Sequence, residues 1–333
     1  MRIPAPSDIL IVGVSPVTLA LATVLAKSGL KVLVIDESIS PKTNFDSLQL
    51  SNYCQNLLVD TGFEIGENLE ANSFINQSFK LLAHYLCSVI WETKIEFKTV
   101  DNYNLIHNGI QYKYASSFVF FEKDLIISSK NHDLNFRNVF LLAWRVIGIV
   151  NERLNSLVLN GYTEEKNLLV SFSDEPIETG FFAKLFKNWI PNKKEINYTD
   201  SSVNLHLSHQ RDLAAGNLLP DLPFYNEKIK EQISLYKWCN YHFFSLIIIG
   251  RIHSNFLFNI AKWVQLNYQI QLFYLPYSEK NKDFFETLGL EEGKQRTLII
   301  RPDRYIGFLH DAIDTDILDN YLRSVLLMKA KAE

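Results

Sequence analysis

The sequence predicts an α/β chain in two parts, and three observations carry that prediction. Residues Asp8 to Glu37, DILIVGVSPVTLALATVLAKSGLKVLVIDE, read as strand, helix, strand. The last part, from Phe243 onward, alternates short apolar runs with helical stripes in the order β-α-β-α-β-β-α. Between them, Leu134–Asn151 is helical and apolar on most faces, a segment built to be buried.

In the first stretch, ILIVG is an uninterrupted apolar run ending in glycine, as expected of a parallel strand covered on both faces. VTLALATVLAKSG has helical spacing and stops at Gly29, and KVLVIDE is a second strand closing on an acid. Asp36 falls 23 residues after Gly13, where a dinucleotide-binding βαβ unit places the carboxylate that holds a ribose. The glycine pattern G-x-G-x-x-G is not kept, because Gly13-Val14-Ser15-Pro16-Val17-Thr18 retains only its first member. Ser15 adds a side chain where a pyrophosphate must come close, and Thr18 adds one where helix and strand pack tightly. Backbone N–H groups of Val14 and Val17 remain at the helix start, where anions are attracted, and Pro16 is tolerated in a first turn. Two readings stand: a dinucleotide site, or Gly13 as an ordinary turn residue and Asp36 as a solvated strand end.

Further along, Ser51–Phe63 reads as a helix closing at Gly62, and Asn76–Glu92 carries a helical apolar stripe. IEFKTV reads as a strand, and NLIHNGIQYKYASSFVFF as a hairpin or meander turning at Asn108-Gly109. Val158–Val170 extends the helical region across a turn at Gly161. Asn188–Thr199 is polar, with Pro191 and several asparagines, and marks the domain boundary. The expected division is an N-terminal domain over 1–190, with a residual middle sheet near 93–124, and a C-terminal domain over 200–333.

In the C-terminal part, Lys228–Tyr236 reads as a short helix, and Phe243–Ile249 as a buried strand. Asn255–Asn267 is a helix, Ile270–Tyr274 a strand and Lys282–Leu288 a helical turn. Thr297–Arg301 and Tyr305–Phe308 are strands joined at Pro302-Asp303. Asp314 or Thr315 caps a last helix with Ile317, Leu318, Tyr321, Leu322, Val325 and Leu326 on one face. That order is the one found in thioredoxin-like domains.

Composition narrows the function classes. Among 333 residues, 47% are hydrophobic and 21% charged, with a net charge of −4 and no polybasic tract, so nothing recommends a nucleic-acid partner. No uncharged apolar run approaches the length of a membrane span, about 18 residues or more. Three widely spaced cysteines, Cys54, Cys87 and Cys239, argue against structural disulfides and for a reducing, cytoplasmic setting. Cys239 has no C-x-x-C partner, which removes the thiol redox chemistry a thioredoxin-like domain suggests. His206 and His209 are close in sequence but lack accompanying carboxylates or cysteines, so no metal site is expected.

Three stretches, in this order, resemble the flavin-dependent aromatic-ring hydroxylases of the phenol hydroxylase type. The first is the βαβ unit above. The second is VFLLAWRVIGIVNERLNSLVLNGYTEEKNLLV, Val139–Val170. Its Leu142-Ala143-Trp144-Arg145 is similar to the family's "AxNLAWKLA" helix, and Tyr162-Thr163-Glu164-Glu165-Lys166 to "LLdsYeaERrPva". The third pairs Ala215-Gly216-Asn217-Leu218-Leu219-Pro220-Asp221 with "aGdraPd", and Leu298 to Ile306, LIIRPDRYI, with "lvRPDgyva". The resemblance implies a Rossmann-like FAD-binding fold of the GR2 type, degenerate and with a reduced middle region, followed by a thioredoxin-like domain. It also implies Gly13, Val14, Ser15, Val17 and Asp36 as cofactor-binding positions, with Asn135 matching the family's flavin-side asparagine.

The departures set the functional expectation. Asp124 is followed by Leu125 where the family has a "DG" pair, Asn131-His132-Asp133-Leu134-Asn135 stands in place of its "GDAAH…P…GxGxNxG" segment, and no arginine is evident where SNYCQN stands. The substrate sheet is nearly absent. Hydroxylation needs a water-excluding chamber around flavin and substrate. The expectation is therefore a non-catalytic homologue, a pseudoenzyme, acting by protein binding as a homodimer or as accessory subunit to a true enzyme. It carries no catalytic residue and no cofactor, FAD being the one it would take if any. The alternative is a flavoprotein oxidoreductase or monooxygenase whose FAD site is completed by rearranged loops or a partner subunit.

Overall fold

The computed structural model describes residues 6–41, 47–66, 69–99, 102–173, 196–209, 213–239 and 241–330. Residues 188–195 of the expected boundary lie outside them. Contacts group the chain into two units, Met1–Asn151 and Glu152–Glu333.

In the first unit, β1 (Ser7–Val12), α1 (Pro16–Lys27) and β2 (Val32–Ile35) form the expected βαβ element. Pro16 to Ala26 are all buried, so α1 is apolar all round because it is covered on every side. Helix α2 (Asn52–Thr61) ends at Gly62 with φ +102°. Helix α3 (Ala71–His84) begins and ends earlier than the stripe over Asn76–Glu92 implied. Leu86 turns the backbone to φ +58°, and Ser88–Ile90 becomes strand β3, parallel to β2. Val89 and Ile90 fitted a helical period by spacing alone, and strand pairing overrode it.

Strands β4 (Thr93–Thr99), β5 (Asn102–His107) and β6 (Ile110–Tyr114) form an antiparallel meander. Its second turn is the two-residue Asn108-Gly109, with φ +50° and +76°, the mirror-image turn that suits strand twist. SSFVFF is not part of the meander. It forms β7 (Ser116–Phe121), which pairs in parallel with β1. The parallel sheet therefore runs β3-β2-β1-β7. Leu10, Leu33, Ile35 and Ile90 face Tyr103, Leu105 and Tyr114 of the meander. On the sheet's helical side, α1 packs with α3 and with α5 (His132–Val150), which follows the short α4 (Glu122–Leu125).

The second unit opens with a 3-10 turn and α6 (Leu159–Ser173), and Gly161 lies inside that helix rather than at a turn. Strand β8 (Leu205–Leu207) follows, then a hairpin of β9 (Pro223–Asn226) and β10 (Glu231–Ser234). The helix expected over Lys228–Tyr236 is this hairpin's second strand and a 3-10 turn, with Lys230 at φ +57° making the reversal. Then come β11 (Ser245–Gly250), α7 (Ser254–Tyr268), β12 (Gln271–Leu275), α8 (Lys282–Thr287), β13 (Gln295–Ile300), β14 (Ile306–His310) and α9 (Thr315–Asn320). The sheet order is β12-β11-β13-β14-β8. Asp314 caps α9 by accepting from the N–H groups of Asp316 and Ile317.

Candidate functional site

The chain lays down β1, β2 and β3 to one side, then returns to place β7 on the other side of β1. Such a reversal opens a crevice at the carboxyl ends of the two central strands, where open α/β sheets bind ligands. Gly13 follows β1 and Glu122 follows β7, so these two residues face each other across that crevice.

Gly13 has φ +102°, a conformation side chains resist, and its N–H donates to Ile35 O at 2.8 Å. A Cβ there would lie 2.9 Å from both Cβ and Oε2 of Glu122, so the Glu122 side chain covers the glycine. The Val14 N–H donates to Asp36 Oδ2 at 2.7 Å. The other carboxylate oxygen, Oδ1, accepts from the Ser38 N–H and hydroxyl. Asp36 therefore stands at the end of β2 as expected, already bonded to the chain itself.

The first turn of α1 is closed in the same way. Ser15 is the N-cap, its N–H donating to Thr18 Oγ1 at 2.8 Å, while the Thr18 N–H reaches back to Ser15 Oγ at 3.4 Å. This is a capping box, and both residues are buried. The two letters that break the glycine pattern are the two that cap the helix, a signal present in the S-x-x-T spacing. Pro16 brings no N–H, and Val17 is buried behind it. Asn135 is spent on the 126–131 loop: its Oδ1 accepts from the N–H groups of Ile127 and Ser128, and its Nδ2 donates to Ser128 O.

Sequence reasoning missed two charged groups, one at the crevice and one at the start of α2. Glu122 becomes visible only once β7 is known to lie beside β1. Arg137, from α5, brings a guanidinium to the start of α2: it bonds Asp133 at 2.7 Å, approaches Ser51 Oγ at 3.4 Å and stacks on Tyr53 at 4.5 Å. Ser51 donates to Asp133 through both N–H and hydroxyl. Burial would raise the Asp133 carboxyl, but Arg137 and the Ser51 donors outweigh it and hold it below the ordinary range.

The remaining candidates for chemistry are quiet. Cys54, Cys87 and Cys239 form no disulfide, and burial pushes Cys54 well up and Cys87 up. Among the described residues no group of three or more His, Cys, Asp or Glu could hold a metal ion, and no helix is long and apolar enough to cross a membrane.

As a frame for FAD, the crevice fits in position: a glycine with backbone open to left-handed φ, a helix N-terminus and an acid at the end of β2. The N–H groups of Gly13, Val14 and Ser15 and the Asp36 carboxylate, as arranged, are bonded within the chain, and a carboxylate covers the glycine. No protein-family model matches this sequence, and no curated protein matches it. Solved structures do match in fold. Aklavinone-11 hydroxylase, in a ternary complex with FAD and aklavinone, superposes with a TM-score of 0.73 at 11% identity, over 98% of this chain and 100% of that one. The flavin-dependent monooxygenase PieE, in complex with FAD and substrate, gives 0.70 at 10% identity over 97% and 100%. OxyS anhydrotetracycline hydroxylase from Streptomyces rimosus gives 0.65 at 12% identity over 96% and 99%. The chain has the fold of the flavin-dependent aromatic hydroxylases.

These matches correct three expectations together. A non-catalytic homologue, a pseudoenzyme and a cofactor-free chain were all inferred from a scaffold too incomplete to work. The superpositions run through nearly the whole of this chain and of chains described with FAD and substrate, so that premise fails.

Proposed function

We propose that this chain is an FAD-dependent flavoprotein of the aromatic-ring monooxygenase kind, with the β1/β7 crevice as the dinucleotide site and its first turn rearranging to admit the cofactor. The observation that carries this reading is the fold match over 98% of the chain to a hydroxylase described with FAD and aklavinone. FAD, once bound, supplies the redox and oxygen chemistry. The chain's own part is to hold, orient and shield. Gly13 lets the backbone come close, Asp36 faces the ribose, and Val14, Ser15 and Val17 form the turn beneath the phosphates. Asn135 sets the loop at the start of α5 on the flavin side. Phe121 and the half-exposed Phe97, with ring centroids 5.8 Å apart at the crevice end of the sheet, offer an apolar wall suited to an aromatic substrate.

The finer assignments accompany it. The N-terminal domain over 1–190 is a GR2-type Rossmann-like fold with β4–β6 as its reduced middle sheet. The domain over 200–333 is thioredoxin-like, which the order β11-α7-β12-α8-β13-β14-α9 supports. A cytoplasmic homodimer, or a complex with a partner enzyme, is the assembly we favour; cysteines without disulfides suit that compartment. The test is an FAD titration of the purified protein, followed by flavin fluorescence quenching and absorbance near 450 nm. Saturable binding of one FAD per chain is expected, and no binding at high micromolar FAD overturns the reading.

A further inference from the structure

We infer that Glu122 controls access of a pyrophosphate to the end of β1, and that dinucleotide loading exchanges the Asp36–Val14 hydrogen bond for bonds to the ligand. This rests on the flavoprotein reading above and assigns two residues of its site a gating role.

The argument is one of charge and place. A pyrophosphate at this crevice must approach Gly13 and the α1 N-terminus, and the Glu122 carboxylate already lies against that glycine, with Oε2 2.9 Å from where a Cβ would stand. Among the described residues, neither Glu122 nor Asp36 has a lysine or arginine within ion-pair distance. An incoming phosphate therefore meets like charge at Gly13. Glu122 is partly exposed at the first position of a short helical turn, so its side chain can swing outward without disturbing the core.

The second half of the exchange conserves hydrogen bonds. When the Val14 N–H leaves Asp36 Oδ2, it becomes a donor aimed from the strand-to-helix turn, where phosphate oxygens accept. The released carboxylate oxygen becomes an acceptor for ribose hydroxyls. Asp36 keeps its orientation throughout, because Oδ1 remains bonded to Ser38.

The test compares ADP, adenosine and FAD binding by calorimetry in the wild type and in E122Q, which removes the charge and keeps the bulk. ADP and FAD are expected to bind about tenfold tighter to E122Q, with adenosine unchanged. Tightening of adenosine by the same factor, or equal ADP affinity in both proteins, overturns the gate. If wild type and E122Q bind FAD equally well, the flavoprotein reading survives and the gate falls; if neither binds any of the three, the flavoprotein reading itself falls and takes the gate with it. A measurement on the wild type alone guards against a variant that folds poorly. Repulsion from Glu122 predicts that ADP affinity rises between low and moderate ionic strength as like charges are screened, and a fall overturns the proposal.

Discussion

In the C-terminal unit, Glu165 and Asp303 are each 1% exposed and bond Arg301 from two sides, Glu165 at 2.6 and 3.1 Å and Asp303 at 3.0 and 2.5 Å. In the N-terminal unit, Asp36 and Glu122 stand at strand ends, partly exposed, and Asp36 is held only by N–H and hydroxyl donors. The same functional group is committed in one unit and exchangeable in the other. What decides is burial with a cation. A desolvated carboxylate is tied to its guanidinium because either alone is costly, while a strand-end carboxylate can trade one donor for another at little cost.

The largest consequence falls on the committed set. Arg301→Met leaves Glu165 and Asp303 buried together without a cation. A loss of about 3–5 kcal/mol is expected, read as a drop in the urea midpoint of the C-terminal unit's transition. Asp36→Asn keeps an acceptor for Val14 but turns an amide NH2 toward the Ser38 donors, which water can take up at this partly exposed strand end. It should cost about 1 kcal/mol, read in the N-terminal unit's transition. If the two variants lose equal stability, the distinction between committed and exchangeable carboxylates is wrong.

A smaller effect tests whether Glu122 moves freely. Gly13→Ala forces a side chain into φ +102° and against Glu122, which should cost roughly 1–3 kcal/mol. In the background of Glu122→Ala the carboxylate contact is gone, while the Cβ at 2.9 Å and the backbone strain remain, so the cycle isolates the part of the side chain that can swing. A coupling of less than about 0.5 kcal/mol in the double-mutant cycle means Glu122 swings away when pushed, as a gate must. A coupling above about 1 kcal/mol means the side chain is fixed in place, and thermal unfolding of the four proteins distinguishes the two.

The committed cluster was legible in pieces and the exchangeable one was not. Glu165 and Arg301 were both singled out as motif residues, and the structure bonds them across 136 positions of sequence. Nothing in either stretch announced the partner, because pairing at that separation is a product of packing. Strands β1, β2 and β11 were readable as apolar runs, since a strand buried on both faces needs no partner to be recognised. Strand β7 was assigned to the wrong sheet: alternation in SSFVFF says that it is extended, not what it pairs with. That error hid Glu122, whose position follows from β7 lying beside β1. Ser15 and Thr18 break the glycine pattern in sequence, and only their S-x-x-T spacing signals the capping box they form.

The smallest effect concerns Asp133, which shows that the contrast follows position rather than unit. It lies in the N-terminal unit yet behaves like the committed carboxylates, with a side chain 20% exposed and Arg137 and Ser51 both bonded to it. Its folded carboxyl sits below the ordinary range, while unfolded it titrates near about 3.9. A group whose folded value is depressed adds stability that is complete above the unfolded value and is lost as pH falls through the folded one. Asp133→Asn retains an acceptor for Ser51 and loses the charge, so about 1 kcal/mol should separate it from the wild type at neutral pH. That gap should close as the pH is lowered below about 4, because protonation makes the wild-type group neutral as well. A gap that persists unchanged at low pH would assign the tie between α2 and α5 to shape alone, and Asp133 would then belong with Asp36.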